Sequence, residues 1–193
     1  EILTEFHTSE FPQHFHNHIL GLPYMNATDR VMAEHVLSMC DPMRARSHTS
    51  LSNTAMGVDV GSKLHVTILH KAPTTRVLSV MEVDTFEELS TIITAFKVNQ
   101  CVIDALPEIH KVREFLKKHN KVAWQCYYND SQKGDYAFQE DKRTVLVNRT
   151  ESLDFGTELL LKSELTLPRR EAIIDTFAKH CENIAKTTVP NTV

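Results

Sequence analysis

The chain has 193 residues, 41% of them hydrophobic and 24% charged, with a net charge of −4 when its eleven histidines are counted neutral. That is ample for one hydrophobic core, and it argues against a strongly basic nucleic-acid binder without excluding a local basic face. No apolar run approaches the roughly 20 residues that span a bilayer, so no membrane partner is expected. The N-terminus has neither the basic start nor the apolar stretch of a signal peptide, and its abrupt opening suggests a piece of a longer protein. Four widely spaced cysteines, Cys40, Cys101, Cys126 and Cys181, form no CxxC pair and read as reduced core thiols in a reducing, intracellular setting.

Residues 1–26 read as an irregular arm. Thr28 can cap a helix over 29–40 with Met32, Val36 and Met39 on one face, and the polar stretch 41–54 reads as a linker or mobile loop. Strands are predicted at 55–60, 64–70 and 76–83, an antiparallel meander. Thr85 caps a helix carrying Phe86, Leu89, Ile93 and Phe96 at helical spacing. A strand over 100–104 follows, then a helix opened by Pro107 with Ile109, Val112 and Leu116, then a strand over 121–127. The order predicts a mixed sheet with helices on both faces, the order found in ribonuclease H-like folds. A polar loop over 129–134, a strand over 144–147 and a helix over 150–161 complete the body. A last helix bears Ile174, Phe177, Cys181 and Ile184, and 187–193 reads as a frayed tail.

Two acids stand out. Asp59 interrupts the apolar run Ala55-Met56-Gly57-Val58-Asp59-Val60, and Asp104 ends Cys101-Val102-Ile103-Asp104. An ionised carboxylate in a strand that reads as core is costly unless something offsets it, usually a cation. The plainer alternatives are a strand-end acid capping the Gly61-Ser62 turn and an N-terminal cap for the helix at Pro107. On neighbouring strands of such a sheet the two carboxylates would converge on Mg²⁺ or Mn²⁺, hard ions that favour carboxylate oxygen. The His14, His16 and His18 cluster lacks cysteine partners and helical spacing, so it reads as solvated or packing histidines rather than a zinc site. Among the basic residues, Lys142 and Arg143 are the choice for phosphate contact, and Trp124 and Tyr127 read as core.

Four stretches together resemble a known family. They are Leu20-Gly21-Leu22-Pro23-Tyr24 before a helix; Met56-Gly57-Val58-Asp59-Val60-Gly61; Cys101-Val102-Ile103-Asp104-Ala105-Leu106-Pro107-Glu108; and Val147-Asn148-Arg149-Thr150-Glu151-Ser152-Leu153-Asp154, with Leu167-Pro168-Arg169 further on. The chain resembles the nuclease domain of the large terminase subunit of tailed bacteriophages, the DNA-packaging motor. The resemblance implies a metal-dependent endonuclease that cuts concatemeric double-stranded DNA with little sequence preference, using two metal ions. Asp59 would be the shared ligand and Asp104 would hold one ion. It implies an arm, helix and linker (1–54) leading out of a missing ATPase domain, then a nuclease domain (55–193) expected to be incomplete at its C-terminus. The implied partners are that ATPase domain, the portal and the small terminase subunit, in the cytoplasm of an infected bacterial host. The family's third acid, in an Asp-His segment, has no counterpart here. Asp154, Glu171 and Asp175 match nothing catalytic. No Walker-type phosphate loop occurs, so ATP hydrolysis would lie outside the chain. The alternatives are a non-catalytic DNA clamp or docking module of the motor, and an actin-like or sugar-kinase-type phosphotransferase, whose phosphate hairpin can also read Gly-x-Asp-x-Gly-Ser.

Overall fold

The computed structural model describes residues 31–50, 54–72, 74–134 and 136–184; the arm, the His14–His18 cluster and the tail after 184 lie outside the described residues. Alternating side chains build the first strand. In β1 (Thr54–Val60) Met56, Val58 and Val60 are buried while Ala55, Gly57 and Asp59 face outward. Hairpin-linked β2 (Leu64–Ala72) and β3 (Thr74–Val83) follow. Then come α2 (Phe86–Ala95), β4 (Val98–Asp104), α3 (Ile109–Lys118) and β5 (Ala123–Tyr128); α1 (Ala33–Ser38) precedes β1. The chain continues as β6 (Ala137–Gln139), a 3-10 turn (Glu140–Lys142), β7 (Thr144–Val147), α4 (Arg149–Leu161), β8 (Leu165–Thr166) and α5 (Ala172–Glu182).

These strands form one eight-stranded sheet in the order β6-β7-β5-β4-β1-β2-β3-β8. β1, β4, β5 and β7 run parallel, and β2 is antiparallel to both β1 and β3. A meander followed by parallel strands added on the other side of β1 is the ribonuclease H-like arrangement expected from the element order. The short strands β6 and β8 were not expected. At three and two residues they are too brief to show a period in sequence.

One face of the sheet lies under α2 and α3, where Met56, Val66 and Ile103 pack with Leu89, Phe96 and Val112. The N-terminus of α2 is closed by a full capping box: Glu88 N–H donates to the Thr85 hydroxyl, and Thr85 N–H donates to the Glu88 carboxylate at 2.9 Å. Thr85→Ala is expected to cost about 1 kcal/mol of stability in urea unfolding. The other face is covered at its β3 end by α1, α4 and α5 through Val36, Leu160, Leu167 and Ile174. At the opposite end Trp124, Cys126, Val145 and Val147 form a smaller cluster. Between the two, the sheet is bare at Gly57 and Asp59.

The N-terminal helix is shorter than predicted. Its N-cap is Met32, which is 48% exposed, while Val31, Val36 and Met39 are buried. Thr28, the expected cap, lies outside the described residues. The segment 41–50, expected as a linker or mobile loop, is instead a strap along β3. Ser47 N–H donates to Leu78 O (2.9 Å), Arg44 Nη1 to Val77 O (2.8 Å) and Arg46 Nη1 to Val80 O (3.1 Å). β8 pairs only with Thr75 and Arg76 of β3, so the strap's donors satisfy the edge that β8 leaves open. Its polarity reflects that job rather than solvation.

Candidate active site

The parallel ladder between β1 and β4 sets Val58 beside Ile103. The next rung brings Asp59 beside Asp104, on strands about 4.8 Å apart. Their carboxyl groups are within hydrogen-bonding reach of each other. Asp59 points to the open side of β1, opposite the buried Val58 and Val60. That corrects the expectation of an acid buried in a core strand: the strand is apolar on one face only, and Asp59 belongs to the other. A side chain added at Gly57, two residues earlier on the same face, would meet nothing within 4 Å. The face that carries Asp59 is therefore open at Gly57.

Neither acid is spent on its plainer role. The β1–β2 turn is closed by backbone, Gly61 N–H donating to Lys63 O at 3.0 Å, with Lys63 Nζ bound to Asp84. The N-cap of α3 is Glu108, which makes no side-chain capping bond. Asp104 instead accepts from the Tyr128 hydroxyl at 3.3 Å. Its carboxyl is pushed up to about 6, chiefly by burial, then by the hydrogen bond and negative charge of Asp59; Tyr128 and Arg149 pull the other way. Burial and the Asp104 charge also push Tyr128 well above the usual phenol range and Cys126 up to about 11. Two carboxylates held together with one forced toward its neutral form are a site short of a positive charge. Carboxylate oxygens at that spacing fit a hard divalent cation.

The third carboxylate is another matter. Among the described residues no group of three His, Cys, Asp or Glu side chains converges on one point. Glu171 is engaged by Arg46 (3.4 Å) and Arg169 (3.3 Å), and Asp175 by Arg170 (2.6 Å). His65, opposite Asp59 on β2, packs edge-on against His180 of α5 with ring centroids 5.0 Å apart, so the end of α5 borders the same opening.

The proposed phosphate pair divides. Lys142 is exposed, its carbonyl accepting from Gln125 Nε2 at 3.3 Å. The Arg143 guanidinium lies 3.7 Å from the Trp124 ring centroid, and its Nε donates to Ala123 O at 3.2 Å. It is a packing arginine at a left-handed residue (φ 48°), turned onto the sheet. Sequence reasoning passed over the basic and aromatic groups that do face the acids, Arg149 and Tyr128. The register that places Tyr128 two residues beyond Cys126, itself opposite Asp104, is the signal that could have found Tyr128. Trp124 is buried as expected, and all four cysteines are free thiols. No helix among the described residues is long and apolar enough to cross a membrane.

No protein-family model matches the chain, and no curated protein matches it. Among solved structures, the human cytomegalovirus terminase nuclease domain, Mn-soaked and inhibitor-bound, is similar at 7% identity with a TM-score of 0.45, covering 79% of this chain and 87% of that one.

Proposed function

We propose that this chain is a metal-dependent nuclease domain acting on the phosphodiester backbone of double-stranded DNA, of the kind found in viral packaging terminases. The observation that carries the reading is the Asp59–Asp104 pair on adjacent parallel strands at the open centre of a ribonuclease H-like sheet. Asp59 would be the shared ligand and Asp104 would hold one ion. Bound Mg²⁺ or Mn²⁺ supplies an activated water and neutralises charge on the phosphate. The chain's own contribution is to orient the acids: Tyr128 holds Asp104, and the face beside Asp59 is left open at Gly57. With two carboxylates, cation affinity is low until DNA phosphate completes the ligand set. Engaging phosphate rather than base edges, such a site would cut with little sequence preference. In a packaging motor the domain would work beside an ATPase domain of the same polypeptide, the portal and the small terminase subunit, in the cytoplasm of an infected bacterial host.

The test is incubation of supercoiled plasmid with Mn²⁺ or Mg²⁺, with and without a chelator. Nicking that needs the metal is expected. A plasmid left intact in both metals, with duplex binding retained, would instead favour a non-catalytic clamp. That second reading is favoured by the absence of a third converging ligand among the described residues.

A further inference from the structure

We infer that Arg149 is the phosphate anchor of this site, its guanidinium gripping a DNA backbone phosphate next to the one attacked; the inference rests on the nuclease reading above. Arg149 is the first residue of α4, and that helix start is fixed from both sides. The Asn148 side-chain oxygen accepts from Glu151 N–H at 3.1 Å, while its Nδ2 donates to Gln132 O at 3.0 Å and Asp130 O at 3.3 Å. The loop after β5 and the start of α4 are therefore tied together. The guanidinium carbon sits 5.3 Å from the Tyr128 ring centroid, and the Tyr128 hydroxyl reaches Asp104. Arg149, Tyr128, Asp104 and Asp59 thus form a row across α4, β5, β4 and β1.

What suits Arg149 to this role is that it stands over Tyr128 with its charge felt by Asp104, while most arginines of the chain are engaged elsewhere. Arg46, Arg169 and Arg170 are ion-paired with carboxylates, Arg44 donates to backbone and to Thr166, and Arg143 lies against Trp124 with Nε bonded to Ala123 O. Arg149 is exposed, lies over the Tyr128 ring, and is in no ion pair with a described residue. A cation–π contact uses the face of the guanidinium rather than its N–H donors, and a planar fork of donors suits phosphate oxygens. The positive end of α4 reinforces the preference for an anion at the same place.

The competing role is simple neutralisation of the two acids, and the two roles predict different signs. An anchor predicts that Arg149→Gln weakens binding of a short duplex about tenfold in Ca²⁺, which permits binding without cutting, and flattens the slope of log affinity against log salt by about 0.9. Mn²⁺ affinity without DNA, by calorimetry, holds or rises, since a positive charge beside the acids is gone. Arg149→Lys recovers the salt slope and part of the affinity, and Tyr128→Phe leaves the slope unchanged because the ring remains. Duplex affinity and slope unaltered in Arg149→Gln overturn the anchor, as does a wild-type chain that binds no duplex. Failure of the nuclease reading is separable. A wild-type chain that never nicks, but whose duplex binding still depends on Arg149, keeps the anchor and loses the enzyme.

Discussion

Asp59→Ala is expected to abolish metal-dependent nicking, lowering the rate by about a thousandfold or more, equivalent to about 4 kcal/mol of transition-state stabilisation. The expectation follows from position. Asp59 is the acid that the open side of β1 aims between Gly57 and the neighbouring strands, and the one within reach of Asp104. Two carboxylates are a minimal ligand set, so losing either leaves too little charge to hold a hard divalent ion near phosphate. Asp104→Asn is expected to behave similarly, because an amide keeps the shape and gives up the charge. Folding should survive both changes, since the core of β1 is built from Met56, Val58 and Val60 on the other face. Plasmid nicking over a Mn²⁺ titration, with circular dichroism as the folding control, reads the effect. Retention of full nicking by Asp59→Ala would refute the ligand assignment, and recovery at high Mn²⁺ would show that Asp59 binds metal without being indispensable.

Much of this arrangement is legible in the sequence because it is local. The meander, the α2 helix capped by Thr85 and the 100–104 strand declare themselves through period and turn residues, and their order alone puts Asp59 and Asp104 on adjacent strands. What is not legible depends on contacts between distant residues. The solvent exposure of Asp59 is hidden, because an alternating strand and a core strand look alike when Ala55 and Gly57 occupy the open face. The strap 41–50 looks like a linker because its polar side chains satisfy an edge 30 or more positions later, as Arg44 does at Val77 and Arg46 at Val80. Arg143 looks like a phosphate ligand by charge, yet Trp124 claims it. Arg149 looks like part of a structural stretch, yet its charge acts on Asp104.

The closeness of the two acids has a stability cost that can be measured. Asp104 is pushed from its ordinary 3.8 to about 6 in the folded chain, by burial first and Asp59 second. For an acid whose folded pKa is raised, the folded state holds the proton more tightly than the unfolded one. Stability is therefore highest below about 4, falls as pH rises through the window from about 4 to about 6, and stays reduced above it. The full shift corresponds to about 3 kcal/mol; because Asp104 remains partly exposed, screening reduces this to about 2 kcal/mol. Asp104→Asn removes the charge and keeps the geometry. Its side-chain oxygen can still accept from Tyr128, and its amide can donate to Asp59. The metal-free variant is therefore expected to be about 2 kcal/mol more stable than wild type at pH 8, a rise of roughly 4–8 °C in Tm for a chain of this size, and no more stable at pH 4. Mn²⁺ should reverse the ranking at pH 8 once its concentration exceeds the dissociation constant, since only wild type has both carboxylates to bind it. Scanning calorimetry at pH 4 and pH 8, with and without Mn²⁺, tests all of this. An Asp104→Asn chain that is less stable than wild type at pH 8, or equally stabilised at both pH values, would show that Asp104 carries no such penalty.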